Sequence, residues 1–300
     1  MSRGVLMFAH NNTEIDYFKI ACANALMVKK NLNVPVTLIT DSGTADWGKS
    51  ALGKDFVDSC FDNIIEVNRD WMFKNTRNFS DTSYSTKSLQ FYNCGHGAAY
   101  ELSPYDETLL IDSDYLIMSS ALSKCWDSKY DVMINHKIFS PLDAKPYTQN
   151  VDELSITLYW ATVIYFRRSD LARHLFSLVE DIQLNYGYYR DLYCFSSSMF
   201  RNDTAFSIAI HMLNGFNSEE PIISELPIVG LLMSWDRDDI YCINDINDIT
   251  LYTEKVKQSG TYILTRLKDT DVHIMNKWAI SRHIDRIIEL YKEITCQEAT

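Results

Sequence analysis

The chain has 300 residues, 46% of them hydrophobic and 23% charged, and a formal net charge of −12. That length admits one large α/β domain or two small ones at roughly 100–200 residues each, and the composition is ordinary for a globular protein. The acidity disfavours a broad nucleic-acid footprint or a membrane surface, which both need a basic face, and no apolar run approaches the ~18 residues of a membrane span.

Cys22, Cys60, Cys94, Cys125, Cys194, Cys242 and Cys296 are scattered, odd in number and without a CxxC pair. They read as reduced thiols, mostly in the core. The apolar run after Met1-Ser2-Arg3-Gly4 is too short for a signal peptide, so a cytoplasmic location is expected.

Residues 5–10 read as a first buried strand ending at His10. Asn11-Asn12-Thr13 can cap a helix, with Thr13 as N-cap. That helix is expected from about 14 to 30, with Ile15, Phe18, Cys22, Ala25 and Leu26 on its buried face. Residues 36–40 form a second strand that ends at Asp41-Ser42-Gly43, and strand, helix, strand of this length makes a βαβ unit with a parallel sheet. Residues 63–67 form a third strand. Residues 68–83 are polar with interspersed aromatics (Trp71, Phe73, Phe79) and read as an excursion loop. A helix is expected over 85–100, with Leu89, Tyr92 and Ala99 inward. It carries Lys87 in its first turn, where a lysine opposes the helix dipole. Such a lysine is either solvated or aimed at an anionic ligand.

Residues 108–111 are an apolar run that stops at Asp112-Ser113-Asp114, and a second run, 115–118, comes at once after it. Two carboxylates at the carboxyl end of a buried strand are costly unless something cationic neutralises them. That edge is also where open α/β sheets bind ligands. At spacing i, i+2 in extended chain both side chains point to one side and can share a hard divalent cation. Asp-Ser-Asp is equally good turn chemistry. The apolar runs on both sides weigh toward function.

Beyond this point we expect a helix over 120–126, a strand over 132–135, irregular chain over 137–153 and a strand over 160–166. Arg167-Arg168-Ser169-Asp170 then leads into a helix through 181. Residues 185–200 are rich in tyrosine (Tyr186, Tyr188, Tyr189, Tyr193). Such rings suit sugar faces, and they suit a loop core as well. Asn202-Asp203-Thr204 opens a helix over 205–213, and Asp203 is either its N-cap or a catalytic carboxylate. Residues 221–231 and 261–267 read as extended pieces. His273, Lys277 and Trp278 precede an amphipathic terminal helix over 282–291, with Ile284, Ile287, Ile288 and Tyr291 inward.

This pattern resembles the GT-A fold glycosyltransferases, which use nucleotide-sugar donors. The resemblance is carried by strands 5–10 and 36–41, the helix with Lys87, Leu110-Ile111-Asp112-Ser113-Asp114, and 160–166 with Arg167. His273-x-x-x-Lys277-Trp278 is similar to the C-terminal metal and phosphate motif of glycosyltransferase family 8, whose fuller form is His-x-x-Gly-x-x-Lys-Pro-Trp. Here the His–Lys spacing is two residues shorter, and the Gly and Pro are absent. The layout also looks like that of glycosyltransferases carried by tailed phages, which would place the protein in a host cytoplasm.

The resemblance implies an α/β, GT-A-like fold with a Rossmann-type, mostly parallel central sheet flanked by helices. It implies one domain over 1–300: a donor half (1–118), an acceptor half with the metal/phosphate motif (119–280), and a C-terminal helix (281–300). Asp112 and Asp114 would hold Mn²⁺ or Mg²⁺ with His273 as a further ligand, and imidazole beside carboxylates tilts the choice toward Mn²⁺. Lys277 and Lys87 would add charge at the donor phosphates, with Ser113 beside them. Ala9, His10 and Asp41 would lie at the nucleoside of a UDP-sugar, although for His10 a satisfied strand-end histidine is the better reading. An inverting enzyme needs a carboxylate base, for which Asp203 and Asp191 are candidates, whereas a relation to family 8 implies retention without one.

Two other functions compete. A nucleotidyltransferase also uses an α/β sheet with acidic metal sites, but it usually carries a Gly-rich basic loop after the first strand, where this chain has His10-Asn11-Asn12-Thr13. A non-catalytic nucleotide-sugar or glycan-binding module is the third reading. The acceptor is open between a glycan, a protein and a modified nucleobase. Arg167, Arg168 and Arg173 form the one basic cluster that duplex DNA would need.

Overall fold

The computed structural model describes residues 1–68, 75–82, 85–92, 95–153, 155–217, 222–234, 238–255 and 260–298. Trp71, Phe73 and Pro221 lie outside them. The chain opens with β1 (Arg3–Phe8), α1 (Tyr17–Leu32), β2 (Val36–Thr40), α2 (Ser42–Leu52), α3 (Lys54–Cys60) and β3 (Asn63–Glu66). Next come β4 (Asn75–Thr82), β5 (Ser85–Phe91), a 3₁₀ turn (Gly95–Ala98) and α4 (Ala99–Leu102). β6 (Glu107–Ile111) and β7 (Tyr115–Leu116) flank the Asp-x-Asp, and β8 (Val132–Ile134), β9 (Lys137–Ser140), β10 (Asp143–Thr148) and β11 (Val163–Arg167) come after them. α5 (Asp170–Leu184), α6 (Tyr186–Leu192) and α7 (Asn202–Leu213) precede β12 (Leu231–Ser234), β13 (Ile240–Asp245), β14 (Asp248–Glu254), β15 (Tyr262–Lys268) and β16 (Val272–Ile274). α8 (Lys277–Ser281) and α9 (Ile284–Glu298) close the chain.

The central sheet has the order β3-β2-β1-β6-β11-β8. β1, β2, β3 and β6 run parallel, and β11 runs antiparallel between β6 and β8. This is the expected mostly parallel α/β sheet. Apart from the edge strand β3, its strands are buried on both faces, which is why they read as continuous apolar runs rather than alternating ones. Val5, Met7, Leu109 and Ile111 pack on one face with α1, while Leu6, Phe8, Leu110 and Phe166 pack on the other with α5 and α7. Cys22, Cys60 and Cys125 are buried free thiols, and Cys194 is exposed.

Several elements differ from the sequence-based expectation. The helix expected over 85–100 is instead the strand β5, paired antiparallel with β4, then the 3₁₀ turn and the single turn α4. Leu89 and Tyr92 mimic a helical stripe, but Leu89 faces the core from a strand whose alternate residues are exposed, and Gly95 and Gly97 weaken any helix there. The excursion loop over 68–83 is, from Asn75 on, the other half of that hairpin. Thr13 is not the N-cap. The Asn12 carboxamide oxygen accepts from Glu14 and Ile15 N–H, which delays the helix until Asp16 caps it through Lys19 N–H at 2.9 Å. Residues 137–153 hold the hairpin β9–β10 rather than irregular chain. In the extended piece expected over 221–231, Ser224 bridges to Met133, and β12 begins at Leu231. Among the described residues no helix is long and apolar enough to cross a membrane.

Candidate functional site

β6 ends at Ile111, and the chain turns through Asp112-Ser113-Asp114, with Tyr115 N–H donating to the Asp112 carbonyl at 3.0 Å. The two carboxylates therefore converge through a turn and not through extended chain. Two buried polar groups fix the segment after the turn. Asn24 of α1 is fully buried, donates to the Tyr115 carbonyl (2.7 Å) and accepts from Ile117 N–H (3.1 Å). Asp271 accepts from Met118 and Ser119 N–H at 2.8 and 2.7 Å. β7 pairs antiparallel with β16, which puts His273 opposite Tyr115, and Ile274 N–H donates to the Asp114 carbonyl at 3.0 Å. This register brings together residues 159 positions apart.

Asp112, Asp114 and His273 each offer a ligand atom, and those atoms lie within 4.8 Å of one another. His273 Nε2 is 3.2 Å from Asp114 Oδ2, and the buried Nδ1 makes no hydrogen bond. Asn276 caps α8 through Trp278 and Ala279 N–H, so Lys277 is the first residue of that helix, and its ammonium ion-pairs with Asp114. Burial alone would raise the Asp114 carboxyl, yet the charges of Lys277 and His273 hold it well below the ordinary carboxylate range. Two carboxylates and an imidazole fit a divalent cation, with the nitrogen donor favouring Mn²⁺ over Mg²⁺. Ser113 is buried and lines the same cavity.

The cavity continues past Asp112 to His96, Arg77, Arg201 and Asp203. Asp203 is not an N-cap. It lies inside α7, where its carboxylate accepts from Ala161 N–H (2.9 Å) and from the Arg201 guanidinium (2.7 Å). The Arg77 guanidinium sits over the rings of Phe79 and Phe91 at 5.5 and 5.9 Å, and no carboxylate among the described residues pairs with it. His96 is 1% exposed, with Nε2 3.4 Å from Asp112 Oδ1. Burial pushes its imidazole down to about 4. Sequence reasoning missed His96, Arg77 and Arg201. The available signal for His96 was its flanking glycines: a Cβ on Gly95 would lie 3.3 Å from Phe8, and one on Gly97 2.8 Å from the Glu180 side chain. Close packing of this turn needs both.

Other predicted site residues lie elsewhere. Ala9 and His10 are buried and do not line this cavity. His10 Nδ1 is 3.1 Å from Asp41 Oδ2. Asp41 caps α2 through Thr44 N–H and Oγ1, and it faces a second, more open cavity beside Asn11, Asn12 and Trp47. Lys87 is on β5 and pairs with Glu14 at 2.8 Å on the surface. Asp191 is exposed and paired with its neighbour Arg190 at 2.9 Å, away from the cavity lining. Tyr186 and Tyr189 are core residues whose hydroxyls donate to Met199 O and Asp181, while Tyr188 is exposed and Tyr193 meets His211. None of the four lines the cavity. Arg167 pairs with Glu107 and Asp131, at the sheet edge opposite Asp112, and Arg173 with Asp170, so the basic cluster is largely neutralised.

No family model and no curated protein matches the chain. Among solved structures it is similar to the galactosyltransferase LgtC crystallised with donor and acceptor sugar analogues, at 14% identity over 71% of this chain and 70% of that one, TM-score 0.40. It is also similar to the glycosyltransferase GlyE of Streptococcus pneumoniae, at 10% identity over 75% of this chain and 45% of GlyE, TM-score 0.38. A third likeness is to a Bacillus anthracis protein described as a proposed glucose-1-phosphate thymidylyltransferase, at 8% identity over 74% of this chain and 99% of that one, TM-score 0.35.

Proposed function

We propose that the protein is a metal-dependent glycosyltransferase that takes a sugar from a nucleoside-diphosphate donor, with UDP-sugars the first class to test. The observation that carries this reading is the convergence of Asp112, Asp114 and His273 at the ligand-binding edge of the sheet, beside Lys277. Bound there, Mn²⁺ or Mg²⁺ would act as a Lewis acid toward the donor diphosphate. Asp112, Asp114 and His273 would hold it, and Lys277 would share its charge with the phosphates. Arg77 replaces Lys87 as the second donor-side cation, since Lys87 is committed to Glu14. Asp203 is the carboxylate beside the cavity, and with both oxygens already accepting hydrogen bonds it suits positioning of a substrate hydroxyl. We read residues 1–300 as one functional unit, with the donor held mainly by 1–118 and the C-terminal motif.

Charge supports the same reading. The described cavity walls carry three carboxylates (Asp112, Asp114, Asp203) and three cations (Arg77, Arg201, Lys277). Leaving the imidazoles aside, the walls are neutral. A divalent cation and a diphosphate would then enter as a mutually compensating pair.

The direct test is release of nucleoside diphosphate from UDP-glucose, UDP-galactose, UDP-GlcNAc and GDP-mannose with Mn²⁺, by slow transfer to water. We expect release from one donor, reduced by about 100-fold or more in Asp114→Asn. Pyrophosphate release from a nucleoside triphosphate with a sugar phosphate would instead identify a nucleotidyltransferase.

A further inference from the structure

His96 is a costly residue to bury. Its side chain is almost wholly enclosed, and neither ring nitrogen makes a hydrogen bond. Each unsatisfied buried polar atom of this kind loses its hydration without compensation, so such atoms in a folded protein call for an explanation. Stacking is not a sufficient one. The nearest ring, Phe8, is tilted 40° at 5.4 Å and would pack against an apolar residue as well.

The position of the ring is informative. It lines the cavity on the Asp112 side, with Nε2 3.4 Å from Asp112 Oδ1. It also lies within the electrostatic reach of Asp203 and Asp114. Its ligand atoms fall outside the tight cluster of Asp112, Asp114 and His273, so it is not a fourth member of that set. An enclosed imidazole with carboxylates for neighbours is a poor anchor for phosphate. Imidazole pairs one N–H donor with one bare nitrogen acceptor, which is the complement of a hydroxyl group. A sugar hydroxyl entering between Asp112 and Asp203 would satisfy the orphaned ring.

We infer that His96 is a sugar-binding residue, which hydrogen-bonds a hydroxyl of the transferred sugar and makes no contact with the nucleoside diphosphate. The inference rests on the glycosyltransferase reading above. It divides the cavity into a diphosphate side at Lys277, Asp114 and His273, and a sugar side at His96 and Asp203.

The test compares two ligand classes on the same protein by calorimetry in the presence of Mn²⁺. The first class is UDP, GDP, ADP and CDP. The second is UDP-glucose, UDP-galactose, UDP-GlcNAc, GDP-mannose, ADP-glucose and CDP-glucose. For the diphosphate and the conjugate that bind wild type best, His96→Ala is expected to leave the diphosphate Kd within about twofold and to weaken the conjugate by about tenfold, the worth of one hydrogen bond. His96→Gln, which restores a donor and an acceptor, should recover part of the loss. Retained diphosphate binding also reports that each variant is folded. Equal losses for diphosphate and conjugate would overturn the inference and leave His96 as a support for Asp112. Unchanged binding of both would overturn it too. If wild type binds no member of either class, the donor reading itself fails, and this inference with it.

Discussion

At the scale of single residues, the site and the sheet base make opposite uses of buried charge. Asp114 is ionised because Lys277 and His273 surround it, and that arrangement holds a carboxylate ready for a cation. Glu107, at the other end of β6, is buried and serves only architecture: it accepts from Arg3 (2.6 Å) and from the Tyr165 hydroxyl (2.7 Å). Burial alone would raise its carboxyl, but Arg3 and Tyr165 hold it below the ordinary value of 4.5. A carboxylate lowered in the folded state stabilises above its unfolded value, and that stability is lost as pH falls through the folded one. Chemical denaturation across pH should therefore show wild type losing stability below 4.5, with Glu107→Ala less stable at neutral pH by about 1–3 kcal/mol, chiefly from the orphaned Tyr165 hydroxyl, and flatter in acid. An unchanged acid limb would contradict this. Which of these acids were visible in the sequence depended on their neighbours. Asp112 and Asp114 stood out because apolar runs enclose them, and His273 because Lys277 and Trp278 come just after it. His96 fell within a false helical stripe and was marked only by its flanking glycines, and Arg77 lay in a polar stretch that reads as a loop.

At the scale of elements, α1 does more than cover the sheet. Its Asn24 bonds the backbone of Tyr115 and Ile117, and so sets the turn that aims Asp112 and Asp114. Asn24→Leu keeps the branched shape and the number of heavy atoms but orphans a buried carbonyl and a buried N–H. We expect a loss of about 2–4 kcal/mol in unfolding free energy and weaker Mn²⁺ binding in the fraction that remains folded. Unaltered Mn²⁺ affinity would separate α1 from the site. The buried strands of the sheet were legible because parallel strands covered on both faces are continuous apolar runs. The β4–β5 hairpin was not. Its pairing is non-local to either strand's own pattern, and the serines and threonines of β5 (Ser85, Thr86, Ser88) look like the polar face of a helix. That hairpin nevertheless supplies Arg77 to the cavity, and it is tied to the C-terminal motif by Asn276, which donates to Asp81, and by Phe79 against Trp278 at 6.1 Å.

At the scale of the whole molecule, the net charge of −12 does not describe the site, where acids and bases balance. A neutral cavity has little reason to bind a free diphosphate or a free dication strongly, and good reason to bind both. Each should then raise the affinity of the other by the same factor, as linkage requires. The net acidity, and the engagement of Arg167 and Arg173 by Glu107, Asp131 and Asp170, weigh against the basic face that duplex DNA would need.

The measurement that tests the central claim most directly is calorimetric binding of UDP, GDP, ADP and CDP with and without Mn²⁺, to wild type and to Asp114→Asn. One diphosphate should bind wild type at least about tenfold more tightly with Mn²⁺ than without it, and that gain should vanish in the variant. Diphosphate binding that ignores Mn²⁺, or survives Asp114→Asn intact, would contradict a cation-bridged donor site and leave Lys277 and Asp114 as a structural ion pair.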